Sequence, residues 1–249
     1  MKITILGSGT FVPFAKRTCS SHLLEDNKNK IMFDFGSGTI NYLTKLGIKL
    51  YGLNHIFISH MHADHSSDLS HFILFILDAP DKNKLKEKYF IYGPEGINRD
   101  IENMLKAFHL DDHKNLNRLK IIELNKEIKI GSFRISPFLV SHDIIALAYR
   151  IEYFQKALCY SGDSSYCEGL KEACMNTDLA IIEATFPKHC NLRNHLSGEE
   201  LGKLAQETKI KKLIVTHVAD TYLPQVKKDI KKNYKGKIII AKDLMRFKI

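Results

Sequence analysis

The segment Ser59-His60-Met61-His62-Ala63-Asp64-His65 places three imidazoles and one carboxylate within six residues, directly after the apolar run His55-Ile56-Phe57-Ile58. Unpaired imidazoles and carboxylates are costly to bury, whereas imidazole nitrogen and carboxylate oxygen are ligands that zinc and similar cations accept. A single histidine at a strand end is more often a hydrogen-bonded structural residue, but that interpretation does not explain four such residues together. The cluster therefore predicts a metal site at the end of a strand.

The spacing within the cluster predicts two metal ions rather than one. His60 and His62 are two residues apart, so on extended chain they point the same way and can bind one ion. Asp64 and His65 follow where the chain turns, and we expect them to face a second ion nearby. The remaining ligands should come from later strand ends, where loops carry sites. Three residues that follow apolar runs are suitable: His142, Asp163 and His217.

Length and composition indicate one globular domain. The chain has 249 residues without a composition break or linker, so we predict a single domain over residues 1–249. Its apolar runs are too short for a signal peptide or a membrane span, so we expect no membrane association. The cysteines are odd in number and irregularly spaced, which favours reduced thiols and a cytoplasmic location. They are Cys19, Cys159, Cys167, Cys174 and Cys190.

The formal net charge of +9 is consistent with a polyanionic partner and also with a sequence that is simply rich in Lys, Ile and Asn. Much of the excess lies in residues 227–237, where lysines alternate as they do on the solvated face of a helix. That interpretation explains the lysine run better than a dedicated polyanion site does. The overall balance nevertheless favours anionic substrates over cationic ones.

Short apolar runs alternate with helical patterns along the chain. Strand-like runs cover residues 2–6 and 179–183, for example, and helical patterns cover residues 96–108 and 223–233. This alternation predicts an α/β fold in which helices cover layered sheets. The segment 69–77 is apolar almost all round, which is equally consistent with burial within the chain and with a homodimer contact.

Two helix starts match the capping box, in which a hydroxyl and a carboxylate satisfy free amides of the first turn. The pairs are Ser165 with Glu168 and Ser197 with Glu200. If both boxes form, Asp163 and His195 each lie on a short, well-fixed loop just before a helix.

The motif His60-x-His62-x-Asp64-His65, followed in order by His142, Asp163 and His217, resembles the metallo-β-lactamase fold superfamily. The resemblance covers nearly the whole chain and includes residues 3–10 and 33–38. It implies a four-layer αββα sandwich with the metal ions in a cleft at one edge of the paired sheets.

Within that superfamily, Ile182-Glu183-Ala184-Thr185-Phe186 and the later Asn194-His195-Leu196-Ser197 are similar to ribonuclease Z, the transfer-RNA 3′-processing endonuclease. This resemblance implies that His195 contacts the scissile phosphate and that Glu183 orients it. Ribonuclease Z carries a protruding arm between the positions of His142 and Asp163, but only 20 residues separate them here. The missing arm argues against transfer-RNA processing. It is consistent with arm-less relatives, which include cyclic-nucleotide and general phosphodiesterases.

These observations predict a metal-dependent phosphodiester hydrolase that acts on an RNA 3′ end, a cyclic nucleotide or another phosphodiester. Two cations about 3.5 to 4 Å apart share a water and lower its pKa, so a hydroxide bridging two zinc ions is the expected nucleophile. Manganese or iron are alternatives to zinc. The first ion is assigned to His60, His62 and His142, and the second to Asp64, His65 and His217, with Asp163 bridging.

Three residues are expected to act directly in catalysis. Asp64 is either a metal ligand only or also the general base that takes the proton of the nucleophile. A protonated His195 would stabilise the transition state or donate a proton to the leaving oxygen. Glu183 would raise the pKa of His195 and keep it charged.

Other functions remain as alternatives. The same metal ligands can activate water against a lactone or a thioester. A redox centre is a second alternative, although di-iron relatives have Glu at the position of His62. A metal-stabilised binding module without catalysis is a third, and loss of a ligand would be its mark. A β-lactamase usually has Cys at the position of Asp163, which argues against antibiotic hydrolysis.

Overall fold

The computed structural model describes residues 1–12, 16–78, 87–187 and 194–249, so Cys190 lies outside the described residues. Within these ranges, two seven-stranded sheets pack face to face, and helices cover the outer face of each sheet. This arrangement confirms the α/β class and the four-layer αββα sandwich. None of the helices in these ranges has the length and apolar character needed to cross a bilayer.

The first sheet comes mostly from the N-terminal half of the chain. Its strands are β1 (Lys2–Gly7), β2 (Ser21–Glu25), β3 (Lys30–Phe33), β4 (His55–Phe57), β5 (Tyr89–Gly93), β6 (Leu119–Glu123) and β14 (Arg246–Lys248). They lie in the order β14-β1-β2-β3-β4-β5-β6, and β3 to β6 run parallel. Three helices pack on the outer face of this sheet: α1 (Thr39–Lys45), α3 (Leu69–Leu77) and α4 (Ile97–Ala107). The short helix α2 (Ala63–Ser66) follows β4.

The second sheet has the same number of strands. They are β7 (Ile128–Ile130), β8 (Phe133–Val140), β9 (Ala146–Tyr153), β10 (Lys156–Tyr160), β11 (Leu179–Glu183), β12 (Lys212–Thr216) and β13 (Lys237–Ile240). They lie in the order β13-β12-β11-β10-β9-β8-β7, and β10 to β13 run parallel. Three helices cover its outer face: α5 (Glu168–Cys174), α6 (Gly198–Glu207) and α7 (Leu223–Asn233).

The central apolar layer lies between the two sheets. It joins Phe33 and Phe57 of the first sheet to Tyr149 and Ile181 of the second, and all four side chains are fully buried. Strand β11 is buried at all five positions because helices and the other sheet cover both of its faces. Each such side chain contributes roughly 1.5–3 kcal/mol relative to an exposed one.

Helix α3 contains the apolar segment 69–77. Five of its side chains are buried within the chain: Leu69, Phe72, Ile73, Ile76 and Leu77. They pack against the first sheet, so burial within the chain accounts for most of the segment, and Leu74 is exposed. The homodimer contact stays a prediction.

The two predicted capping boxes have different outcomes. The box at Ser197 and Glu200 is confirmed, with both reciprocal hydrogen bonds at the start of α6. The box at Ser165 is wrong, because α5 begins at Glu168 with Cys167 at its N-cap and has no side-chain cap. Ser165 instead donates its backbone N–H and its hydroxyl to the carbonyl of Ser141, at 2.8 and 3.3 Å. A tertiary contact with the β8–β9 hairpin replaces the local cap.

The parallel strands of both sheets end at one edge of the sandwich. Two backbone hydrogen bonds join the sheets at this edge, from Leu147 N–H to Ser59 O at 2.9 Å and from His217 N–H to Ser8 O at 3.2 Å. Segments that leave β4, β10, β11 and β12 therefore meet there. This edge is where the sequence predicted the site.

Candidate metal centre

Four segments of the chain bring the predicted ligands together at this edge. His60 and His62 leave β4, and Asp64 and His65 lie in α2. The other three lie in the β8–β9 hairpin, after β10 and after β12; they are His142, Asp163 and His217. All seven fall into two groups in which ligand atoms lie within 4.8 Å of one another.

The first group consists of three imidazoles, those of His60, His62 and His142. His142 donates its Nδ1–H to the carbonyl of Asn194 at 2.9 Å, which leaves Nε2 with a free lone pair. This Nε2 lies 3.2 Å from His62 Nδ1. The Nδ1 atom of His60 lies 3.0 Å from the hydroxyl of Ser59, so its Nε2 atom is also available to a ligand. The group can hold one cation through three nitrogens.

The second group combines carboxylates with imidazoles, and all its members are buried: Asp64, His65, Asp163 and His217. His217 Nε2 lies 3.0 Å from Asp64 Oδ2, and His65 Nε2 lies 3.3 Å from Asp163 Oδ1. Asp163 Oδ2 also lies 3.4 Å from His217 Nε2 and 3.9 Å from His60 Nε2. Asp163 therefore stands between the two groups of candidate ligands.

Three buried polar atoms of the centre indicate whether these residues are suited to bind metal ions. His60 Nε2, His65 Nε2 and Asp163 Oδ1 make no well-aligned hydrogen bond within the described residues, although the last two atoms lie 3.3 Å apart. Buried polar atoms rarely lack partners, so three of them pointing into one cluster require an explanation. A cation would satisfy all three. Imidazole nitrogen with carboxylate oxygen is a donor set suited to zinc, manganese or iron.

The electrostatics of the centre also favour a cation. Burial opposes ionisation of Asp163, but His217 and His65 lower its pKa well below the ordinary value. Burial likewise opposes charge on His65, yet Asp163 and Asp34 raise its pKa well above the ordinary value. Burial lowers the pKa of His60 well below its ordinary value, which leaves a neutral imidazole. The buried carboxylates thus attract positive charge, and metal ions would supply it.

A second layer of residues orients the ligands. Asp34 Oδ2 accepts a hydrogen bond from His65 Nδ1 at 2.5 Å and another from Ser59 Oγ at 2.8 Å. The hydroxyl of Tyr160 donates to the same oxygen. On the other side, Thr185 Oγ1 lies 2.9 Å from His217 Nδ1. These contacts fix Nδ1 of both histidines and turn Nε2 toward the centre.

The sequence alone assigns no role to these supporting residues. Asp34 follows strand β3 and lies in the segment 33–38 that resembles the superfamily, but neither fact identifies its partners. Ser59 and Thr185 lie in the quoted segments 59–65 and 182–186, and Tyr160 carries no distinguishing signal. His22, which also lies near the cleft, is fully buried against the ring of Tyr160, with ring centroids 4.7 Å apart.

His195 and Glu183 form a hydrogen-bonded pair beside the centre. His195 Nδ1 lies 2.8 Å from Glu183 Oε1, and Glu183 is fully buried. Burial opposes charge on His195, but Glu183 raises its pKa to about 9. The His195 ring lies 5.1 Å from that of His142 and stacks on that of His217 at 5.7 Å. A protonated imidazole thus adjoins both groups of candidate ligands.

Buried hydrogen bonds hold Glu183 in place. Its Oε1 atom accepts from Ser164 N–H at 2.8 Å, and its Oε2 atom accepts from Thr185 N–H at 3.1 Å and Thr185 Oγ1 at 2.6 Å. His195 lies two residues before Ser197, the N-cap of α6, and its Nδ1 atom is also 3.3 Å from Thr185 Oγ1. These contacts position the pair beside the candidate ligands.

Comparisons with known proteins agree with this fold. The family model described as "Anti-Pycsar protein Apyc1" matches residues 1–238. The uncharacterized protein Rv1339 of Mycobacterium tuberculosis is 28% identical over 225 residues, which cover 88% of this chain and 81% of that protein. Ribonuclease Z of Staphylococcus epidermidis is 26% identical in an alignment 280 residues long, which includes 89% of this chain and 90% of that protein. The crystal structure of the metallo-β-lactamase fold protein YhfI from Bacillus subtilis superimposes with a TM-score of 0.83 at 22% identity, covering 99% and 98% of the two chains.

Proposed function

Because this chain belongs to the Apyc1 family of anti-Pycsar proteins and has the metallo-β-lactamase fold, we propose that it is a metal-dependent hydrolase of phosphodiester bonds. The observation that carries the proposal is the His195–Glu183 pair beside seven converging candidate ligands. The similarity to a ribonuclease Z supports the same class of reaction.

The ligand chemistry supports two zinc ions. His60, His62 and His142 would hold one ion, and Asp64, His65 and His217 the other, with Asp163 shared. Bound divalent cations would supply Lewis acidity toward a phosphoryl oxygen and acidify water at neutral pH. The first group consists of three imidazoles, which favours zinc over magnesium or calcium.

His195 is assigned to the charge that builds on the phosphate. Its Nδ1–H donates to Glu183, so Nε2–H is the group that can reach a substrate. With a pKa of about 9, the imidazole is protonated at neutral pH. It can therefore hydrogen-bond a phosphoryl oxygen as negative charge develops, or donate its proton to the leaving oxygen.

Asp64 is the candidate general base. Burial opposes ionisation of its carboxyl group, but the hydrogen bond from His217 and the charge of His65 lower its pKa below the ordinary value. The carboxylate is thus ionised at neutral pH and can accept a proton from the attacking water. Asp64 has two carboxylate oxygens, so one can bind a metal ion while the other accepts the proton.

The substrate proposed is a small phosphodiester, such as a cyclic nucleotide, rather than a transfer-RNA precursor. The 20 residues between His142 and Asp163 contain the paired strands β9 and β10, which leave no protruding arm there. The basic net charge of +9 is consistent with an anionic substrate.

A substrate panel tests the proposal. The zinc-loaded protein should cleave bis(p-nitrophenyl) phosphate and a cyclic nucleotide, and His195→Ala should reduce turnover by about 10²–10⁴-fold, as expected for loss of an acid–base group. Its metal content should stay unchanged. His71→Ala, which alters an exposed histidine of α3, is the matched control. Turnover of a lactone or thioester without phosphodiester turnover would overturn the assignment.

A further inference from the structure

A row of aromatic rings leads outward from the metal centre. His195 stacks on His217, and the ring of Phe186 meets that of His195 edge-on, with centroids 5.8 Å apart. The ring of Tyr222 follows at 6.2 Å from that of Phe186. Phe186 is half-buried and Tyr222 is 36% exposed, so the outer two rings present apolar surface to solvent. We call Phe186 and Tyr222 the aromatic platform.

The backbone holds Phe186 in a fixed position. Phe186 forms an isolated β-bridge with Ser197, and its carbonyl accepts from Gly198 N–H at 3.2 Å. Ser197 is the N-cap of α6, so Phe186 and His195 both adjoin the same capped helix start.

Tyr222 is held by a different set of contacts. It lies at the N-cap of α7, where its N–H donates to Ala219 O at 2.9 Å and its carbonyl accepts from Val226 N–H at 2.9 Å. The loop before it is anchored by Arg17, whose Nε lies 3.0 Å from Asp220 Oδ1 and whose Nη1 donates to Val218 O at 3.4 Å. The platform is thus assembled before any ligand arrives, which limits the entropy lost on binding.

Resting on the proposed phosphodiesterase function, we propose that the aromatic platform stacks the nucleobase of the substrate, so that the enzyme selects nucleotides over other phosphodiesters. A nucleotide joins a charged phosphate to a planar base, and the structure places His195 beside the half-buried ring of Phe186 and the exposed ring of Tyr222. Stacking is tolerant of base identity because every base has a π-face, and it contributes measurably for each base. The platform lies next to the group assigned to the phosphate, as this chemistry requires.

Two substrates with the same scissile group test the platform. Adenosine 3′,5′-cyclic phosphate carries a base, and methyl ribofuranoside 3,5-cyclic phosphate does not. Tyr222→Leu should lower kcat/KM for the nucleotide about tenfold through KM, which corresponds to about 1.4 kcal/mol. It should leave the base-free substrate within about twofold of the wild type, because Tyr222 contributes only the outer ring. Tyr222→Phe should restore the nucleotide preference.

Two further variants complete the comparison. Phe186→Leu should act in the same direction as Tyr222→Leu on the nucleotide. Phe108→Leu, which alters an exposed aromatic residue at the end of α4, should change neither substrate. Equal loss on both substrates in the platform variants, or no loss on the nucleotide, would overturn the stacking proposal and leave phosphodiester cleavage standing.

A binding measurement separates this proposal from the proposed function. Isothermal titration calorimetry should show that the wild type binds adenosine monophosphate more tightly than ribose 5-phosphate, and that Tyr222→Leu reduces the difference. Base-dependent binding without turnover of either cyclic phosphate would refute the phosphodiesterase function but retain the platform. The absence of base-dependent binding would refute the platform whatever the turnover.

Discussion

Asp34→Asn is the most informative single change outside the candidate ligands. Asp34 is fully buried and accepts four hydrogen bonds. Its Oδ1 atom accepts from Ser59 N–H at 2.6 Å, and its Oδ2 atom accepts from Ser59 Oγ, His65 Nδ1 and the Tyr160 hydroxyl. An amide has one oxygen and one NH₂ group, so in either orientation the NH₂ group faces a donor.

The size of the effect follows from the less costly orientation. If the amide oxygen replaces Oδ2, one buried bond is lost, that of Ser59 N–H, which costs about 1–3 kcal/mol. The negative charge that orients the His65 imidazole is also lost. Substitution of such a supporting residue typically reduces metal affinity about 10–100-fold. This factor corresponds to about 1.4–2.7 kcal/mol, which is similar in size to the cost of the lost hydrogen bond. We therefore expect zinc affinity to fall by about this factor while all seven candidate ligands remain.

Competition with a zinc chelator measures this affinity directly. Asp178→Asn is the control, because Asp178 also accepts a backbone hydrogen bond, from Ala157 N–H at 3.0 Å, but precedes β11 at the opposite end from the site. Circular dichroism should show folded protein for both variants. Wild-type zinc affinity in Asp34→Asn would refute the argument that Asp34 orients His65.

Two further changes test the surroundings of the centre. Gly36→Ala would place a Cβ atom against the carbonyl oxygen of Asp64, so the Asp64 backbone must shift and the zinc content should fall. Gly52→Ala is the control, because its Cβ atom would meet no atom within 4 Å, and it should retain zinc. Equal zinc content in both variants would refute this. Glu183→Gln removes the carboxylate that raises the pKa of His195, so the imidazole should lose its proton at a lower pH and activity should decline at a lower pH than in the wild type. An unchanged alkaline limit in the pH–rate profile would show that Glu183 does not control the charge of His195.

The candidate ligands could be predicted from the sequence because each carries a local signal. The first four lie within six residues of one another, and His142, Asp163 and His217 each follow an apolar strand. Parallel strands end at a common edge, so residues at such ends are brought together by the fold itself. Residue type and strand position together sufficed to predict that these seven side chains converge, while their role as metal ligands stays a prediction.

The supporting residues could not be predicted because their partners are distant in sequence. Asp34 and His65 are 31 residues apart, and Thr185 and His217 are 32 residues apart. A single carboxylate or hydroxyl has many structural uses, and only tertiary packing selects one. The aromatic platform has the same origin, since Phe186 and Tyr222 meet only after β11 and β12 pair.

Two of the shortest strands, β7 and β14, were also missed. They have three residues each and lie at sheet edges, where few side chains are present to establish a period-two pattern. Strand β4 is equally short, but the apolar run 55–58 before the ligand cluster identifies it. Helix α2 has only four residues, and its sequence is that of the ligand cluster. Subunit number and cytoplasmic location stay predictions.

Elemental analysis of the zinc-loaded, dialysed protein tests the central claim most directly. We expect about two zinc ions per chain in the wild type and a marked loss in Asp163→Ala, because Asp163 lies between the two groups. Asp178→Ala should keep the wild-type content. A wild-type chain that retains no metal, or an Asp163→Ala variant that retains both ions, would contradict the proposed dinuclear centre.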